Sequence, residues 1–316
     1  MGNYLCGDYV ILNHAEGKPN GNRNEGDEAN YNGGLATKGT EGGAGDSQLS
    51  TLEISRQIQR SMLRIRGEFM SEDGRKVDYD AVKASDAFAE YLSTARLLGR
   101  CSLVSLDDEN ERKAFFINVY NALNIHGIID RGGLPESLTG KLGYWKRTGY
   151  LIDGLRFTLD DIEHGLLRGN SRASSQLWGN AYFADADPRL EFALPKDARI
   201  HFALNCGARS CPAIRVYDGR NLERGLIGAT IAFCESEVRL VEGEGGGEIV
   251  FKMSHLFKWF RGDFVPRGQG RGDPVLRWIA QNTGESDLSG RVRQVLESEK
   301  VVAIAYTPYD WTSNGL

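Results

Sequence analysis

The chain has 316 residues, 41% of them hydrophobic and 26% charged, with a formal net charge of −5. That length and apolar content support one or two domains with a substantial core, and the acidic balance excludes a global basic field that would draw in nucleic acid. No apolar run approaches the roughly 18 residues of a membrane-spanning helix, and the first residues lack the basic and apolar regions of a secretory signal.

Residues 1–50 contain 11 Gly and 7 Asn and have almost no aliphatic pattern beyond Ile11-Leu12. Such a stretch buries too little apolar surface to offset its chain entropy, so a disordered tail is expected there, ahead of a globular domain over residues 51–316. Its start, Met1-Gly2-Asn3-Tyr4-Leu5-Cys6, offers Gly2 as a myristate acceptor, with Cys in place of the preferred Ser or Thr at position 6. One myristoyl chain holds a protein weakly. The tail cannot add a polybasic patch, having three basic residues (Lys18, Arg23, Lys38) against seven acidic ones, so palmitate on Cys6 is the expected second signal. The localisation expected on this reading is cytoplasmic, with attachment to the cytoplasmic face of a membrane.

From Thr51 the pattern turns helical: Ile54, Ile58, Met62, Ile65 and Phe69 form one stripe, and Arg56, Arg60, Arg64 and Arg66 lie off it. Ser71–Gly74 reads as a turn and Tyr79–Leu98 as a second helix. Glu109–Asp130 is apolar on most sides, which predicts a buried helix whose Asn118, Tyr120, Asn121, Asn124 and His126 must find hydrogen-bond partners; the amides are expected to pin neighbouring loops. Tyr150–Phe157 reads as a hairpin around Asp153-Gly154, and Thr158 with Asp161 as the cap of a short helix carrying Glu163 and His164. Arg199–Leu204 reads as a strand ending at Asn205-Cys206-Gly207. A helix over Asn221–Glu235 follows, then a hairpin of Val238–Val241 with Ile249–Met253, a Ser254-capped helix His255–Phe264, a helix Val275–Gln281 and a last strand Val301–Tyr306. This order gives an α+β fold, with helices packed on a small, mostly antiparallel sheet.

The segment His201–Pro212 concentrates reactive side chains. Five unevenly spaced cysteines do not look like a disulfide framework, so free thiols in a reducing compartment are expected. Three readings stay open for the segment. Cys206 is a thiol nucleophile of a hydrolase or acyltransferase, with His164 or His126 as base, Glu163 or Asn118 orienting and Arg209 adding positive charge. Alternatively, His201, Cys206 and Cys211 hold a metal with a borrowed fourth ligand, although their spacing fits no common zinc pattern. In the third reading the cysteines are small buried hydrophobes at a turn fixed by Pro212, and the protein is a scaffold with no deep polar cleft around Cys206. No cofactor is expected.

Several longer runs carry a resemblance: Ala114–Leu123 with His126, Leu159–Arg168, Asp187-Pro188-Arg189, His201–Pro212, Leu256–Phe260 with Asp263-Phe264, and Tyr309-Asp310-Trp311. Together they resemble the family called domain of unknown function 547, over roughly Val77 to Asn314. Phe116, Ala213, Phe260 and Thr312-Ser313 depart from the usual pattern at the level of packing. The resemblance implies that His126, His164, His201, Cys206 and Cys211, with the polar Asn121 and Arg168, belong to a shared pattern. It supplies no reaction. Plant members that join the domain to coiled-coil segments imply an interaction role with a protein partner, here an unidentified one, beside the membrane surface that acylation would engage.

Overall fold

The computed structural model describes residues 9–13, 49–173, 181–242, 248–264, 273–298 and 301–316. Tyr9–Asn13, inside the stretch expected to be unstructured, belong to the folded part. Strand β1 (Val10–Ile11) runs parallel to β2 (Thr148–Ile152). The buried Asn13 amide donates to the Ala95 and Leu151 carbonyls and accepts from Leu151 N–H, each at 2.9 Å. Gly2 and Cys6 lie outside the described residues.

Helix α1 (Thr51–Phe69) is capped by Ser50 and buries the Ile54, Ile58, Met62, Ile65 stripe. The second expected helix is two, α2 (Tyr79–Lys83) and α3 (Asp86–Leu97), because Ser85 accepts from Phe88 N–H and so caps a new start. Helix α4 (Glu109–Arg131) is the central element. Asp108 caps its first turn, Gly132 ends it in the left-handed region at φ 78°, and Ala114–Ile129 is buried throughout. Helix α5 (Leu138–Arg147), not expected from the sequence, leads into the hairpin of β2 and β3 (Leu155–Thr158).

The expected capping box at Thr158 is present: Thr158 Oγ1 accepts from Asp161 N–H and Asp161 Oδ2 from Thr158 N–H. The helix it starts, Asp161–Leu167, is a π-helix, a form that recurs at functional sites. Arg199–Leu204 is not a strand; Ala198–Phe202 is a 3₁₀ turn capped by Asp197. A strand would put Ile200 and Phe202 on one face. Here Ile200 packs into the core around α4, whereas Phe202 packs into a second core with Phe233, Phe257, Phe264 and Trp278.

That second core is framed by α6 (Leu222–Glu237), β4 (Arg239–Glu242), β5 (Glu248–Ser254), α7 (Leu256–Trp259), α8 (Arg261–Phe264), α9 (Pro274–Asn282), α10 (Asp287–Glu297) and β6 (Val301–Thr307). Strand β5 pairs antiparallel with β4 and parallel with β6. The single expected helix His255–Phe264 is broken at Phe260 into α7 and α8; the N-cap of α7 is His255 rather than the expected Ser254, whose Oγ does accept from Leu256 N–H at 3.3 Å. The α+β architecture thus holds, but in place of one mostly antiparallel sheet there are two three-stranded sheets, each with one parallel and one antiparallel pairing. Among the described residues no helix is long and apolar enough to cross a membrane.

Candidate functional site

Where the two cores meet, a cavity of about 360 Å³ opens, at the small end of ligand-pocket sizes. Its walls are apolar and aromatic: Leu138, Leu142 and Trp145 from α5, Leu256 and Trp259 from α7, Phe260, and Tyr309 and Trp311 from the segment after β6. Its polar lining comes from Tyr120 on α4, from Asp160, Glu163 and His164 at the π-helix, and from His201, Cys206 and Cys211. The cleft absent from the scaffold reading is therefore present beside Cys206.

The buried amides of α4 build the turn that carries the cysteines. Asn121 donates to Ala203 O and accepts from Asn205 N–H, and Asn124 donates to Asn205 O. Asn205 in turn donates to Pro212 O and accepts from Gly207 N–H. Gly207 sits at φ 86°, where a side chain would also run into Ile128, so the chain reverses sharply just after Cys206. The turn is zipped to the C-terminal segment by Arg209 N–H to Thr312 O and Asn314 N–H to Gly207 O, which brings Tyr309 and Trp311 to the cavity.

Cys206 and Cys211 are paired as a disulfide, with Cα atoms 6.3 Å apart. The expectation of free thiols thus holds for Cys101 and Cys234 and fails at these two positions. The reason is the turn itself, which folds residue 211 back onto residue 206. Tyr309 Oη approaches Cys211 Sγ at 3.2 Å. With its sulfur bonded, Cys206 offers no thiolate. His201, Cys206 and Cys211 are not brought together as a ligand set in this arrangement: the two sulfurs bind each other, and His201 Nε2 is taken by Asp263. No group of three metal-ligating side chains occurs among the described residues.

Arg168 organises the polar side. Its Nε donates to Asp263 Oδ2 at 2.7 Å and its Nη1 to His164 Nδ1 at 2.8 Å, while its guanidinium lies 4.8 Å from the Phe260 ring centre. Asp263 Oδ2 also accepts from His201 Nε2 at 2.8 Å, and Lys196 Nζ lies 3.1 Å from Oδ1. Burial opposes the Asp263 charge, yet hydrogen bonds from His201 and Arg168 hold its carboxyl well below the usual range. His201 stacks on Phe260 with ring centres 3.9 Å apart, a contact that the break between α7 and α8 permits.

A guanidinium only donates, so His164 Nδ1 must be the accepting nitrogen and the ring proton sits on Nε2. Burial, then Arg168 and His201, push the imidazole well below its ordinary pKa. His164 is a neutral donor into the cavity with no free lone pair, which does not suit a general base. No hydrogen bond joins it to Cys206. His126, the other candidate base, is far from this chemistry: it packs edge-on to Phe88 and shares a 2.8 Å hydrogen bond with Tyr150, whose hydroxyl also meets that of Tyr91. Asn118 does not orient a catalytic group either, since both ends of its amide bind the Tyr217 backbone. Glu163 lines the cavity, accepts from Tyr120 Oη at 3.2 Å, and is pushed up by burial against the opposing pull of Arg168.

Asp160, Asp263, Trp145 and Trp311 were not among the expected site residues. Asp160, Asp263 and Trp311 lie in runs that carry the family resemblance, but nothing in those runs shows that they converge. Trp145 completes a Leu138, Leu142, Trp145 stripe at helical spacing, a signal obscured by the intervening Gly140 and Gly143.

Comparison with known proteins adds a family. Residues 103–234 match the family model described as "Protein of unknown function, DUF547". That match is shorter than the resemblance read from the sequence, and the cavity residues on α7 and around Tyr309 lie beyond it. A stretch of 62 residues is 37% identical to a protein described as carboxypeptidase Y homolog A from Paracoccidioides lutzii, covering 19% of this chain and 11% of that protein. The chain thus spans about a tenth of that relative, and no peptidase chemistry follows from it. No solved structure matches the chain.

Proposed function

We propose that the folded part of the chain, whose residues 103–234 match the DUF547 family model, is an interaction module that takes a small ligand group into the cavity between α5, α7 and the π-helix. The observation that carries the reading is the convergence of Trp145, Trp259, Trp311 and Tyr309 on a polar floor. Trp259 stacks on Trp311 at 5.3 Å, Tyr309 lies 4.5 Å from Trp311, and Trp145 lies 5.8 Å from it. Concave apolar walls with a few convergent polar groups are the ordinary form of a small-ligand site. Trp259 is 37% exposed, and a partly exposed large aromatic at a cavity rim is suited to contact with a ligand or partner. The bonded sulfur of Cys206 and the occupied Nδ1 of His164 speak against thiol catalysis, so recognition is preferred to hydrolysis or acyl transfer.

The test is ligand-observed saturation-transfer NMR with 1-hexanol, n-hexylammonium and indole as probes, on the wild-type protein and on Trp259→Ala. Transfer to at least one probe, reduced in the variant, supports the reading. Absence of transfer to all three contradicts it. Acylation of Gly2 and Cys6, attachment to a membrane face and recruitment of a protein partner are separate proposals resting on the sequence. Mass spectrometry of the native N-terminus tests the first, and an unmodified Gly2 removes it.

A further inference from the structure

The two acidic side chains on the cavity floor are unequally served by the rest of the protein. Asp161, beside them, is compensated: its carboxylate lies 2.8 Å from Arg189 Nη1 and accepts from Thr158 N–H. Glu163 accepts one hydrogen bond, from Tyr120. Asp160 is 7% exposed, lines the cavity, and accepts no hydrogen bond from any described residue. Its oxygens are not sealed off from the cavity, so the donor they lack within the protein is one that a ligand entering the cavity can supply. Its free acceptor positions face a space walled by indole and phenol rings, which favour cations over their faces.

We propose that the cavity binds an alkylammonium group, its N–H donors on Asp160 and Glu163 and its apolar stem against Trp259, Trp311 and Tyr309. This rests on the recognition reading above and names the ligand class. A hydrogen-bonding ammonium fits better than a quaternary one, because Asp160 lacks donors as well as a counter-charge. The nearest cationic side chains are otherwise engaged: Arg168 with Asp263 and His164, and Arg189 with Asp161 and Asp187. Lys146, which lowers the Asp160 pKa through its charge, is exposed and makes no hydrogen bond to it. An anionic ligand would meet two carboxyls. A neutral alcohol could satisfy one acceptor position but would leave the local acidic excess in place.

The same head group occurs on free amines and on the lysine side chain of a partner, and the test separates them. Isothermal titration at pH 9, above the raised pKa of Asp160 and with the alkylamine still protonated, compares n-hexylammonium, 1-hexanol and hexanoate, equal in carbon number and different in head, on the full chain. The expected result is hexylammonium about tenfold tighter than the alcohol, as one charge-assisted hydrogen bond provides, with no measurable binding of hexanoate. In Asp160→Asn that preference falls to about twofold or less while the alcohol is unchanged; Glu163→Gln serves as a second variant should the first fold poorly. Nα-acetyl-lysine N-methylamide binding more tightly than hexylammonium assigns the head group to a protein partner, and weaker binding assigns it to a free amine. Alcohol or hexanoate binding as tightly as hexylammonium overturns the ligand class and leaves the recognition reading standing. No binding by any of the probes overturns both.

Discussion

Arg168 Nη1 lies 2.8 Å from His164 Nδ1. Because arginine cannot accept, that contact fixes the tautomer of a buried histidine and removes it from base catalysis. The expected outcome is an Nε2–H tautomer for His164, with protonation displaced well below that of an ordinary imidazole, read from long-range nitrogen–proton NMR correlations of the ring. Replacing Arg168 by Met leaves Asp263 buried beside His201 and without its guanidinium, a loss of about 3–5 kcal/mol by the behaviour of broken buried pairs. Denaturant unfolding measures it.

Asn121 ties α4 to the turn before Cys206 through one donated and one accepted backbone hydrogen bond. Asn121→Ala strands Ala203 O and Asn205 N–H, with an expected cost of about 2–4 kcal/mol. Asn118→Ala strands Tyr217 groups instead and carries a similar cost. Only the first is expected to weaken probe binding in the cavity, since only Asn121 holds a cavity-lining turn. Equal weakening by both contradicts that division.

Asp160 gives a signed pH dependence. Burial, then the charge of Glu163, push its carboxyl up to about 8 from an ordinary 3.8. The groups facing it are Glu163 and Asp161 on its own segment, Tyr120 on α4, Lys146 on α5 and Tyr182. The folded protein holds this proton more tightly than the unfolded chain does, so stability falls as pH rises from about 4 to about 8. Asp160→Asn is expected to raise Tm on the order of 5 °C at pH 8 and to leave it unchanged near pH 4. His126 acts in the opposite sense: burial lowers it to about 4 from 6.5, so its contribution is present above pH 6.5 and is lost as pH falls toward 4. The linked loss is about 3 kcal/mol. His126→Gln should flatten that acid limb alone.

The cysteines should separate by accessibility. Cys101 is buried and pushed up to about 11 by that burial, and Cys234 is buried and pushed higher still. Iodoacetamide on the native, unreduced protein is expected to label none of Cys101, Cys206, Cys211 and Cys234. After mild reduction Cys206 should label first, because it is partly exposed while Cys211 is buried. Peptide mass spectrometry reads both results, and early labelling of Cys206 without reductant contradicts the pairing.

The elements legible in the sequence were those whose periodicity is uninterrupted or whose cap is local. The Ile54–Ile65 stripe, the apolar body of α4 and the Thr158–Asp161 capping box each lie within a few turns of chain. The amides of α4 were also legible as loop-pinning groups, since burial leaves an amide few alternatives. What escaped depends on distant partners. Asp263 meets His201 across 62 positions, and Tyr309 meets Cys211 across 98. The strand expected at Arg199–Leu204 failed because alternating apolar residues there serve two different cores. His126 shares its motif with the site residues, yet its helix face points it at Tyr91 and Tyr150.

The most direct measurement is a nitrogen–proton NMR titration of the labelled protein with n-hexylammonium and, separately, 1-hexanol, following the assigned indole N–H signals. Trp278 lies in the second core away from the cavity lining and serves as the internal control. The account predicts saturable shifts at Trp145, Trp259 and Trp311 with at least one of the two probes, and none at Trp278. Unshifted cavity indoles at saturating probe, or shifts of equal size at Trp278, would contradict it.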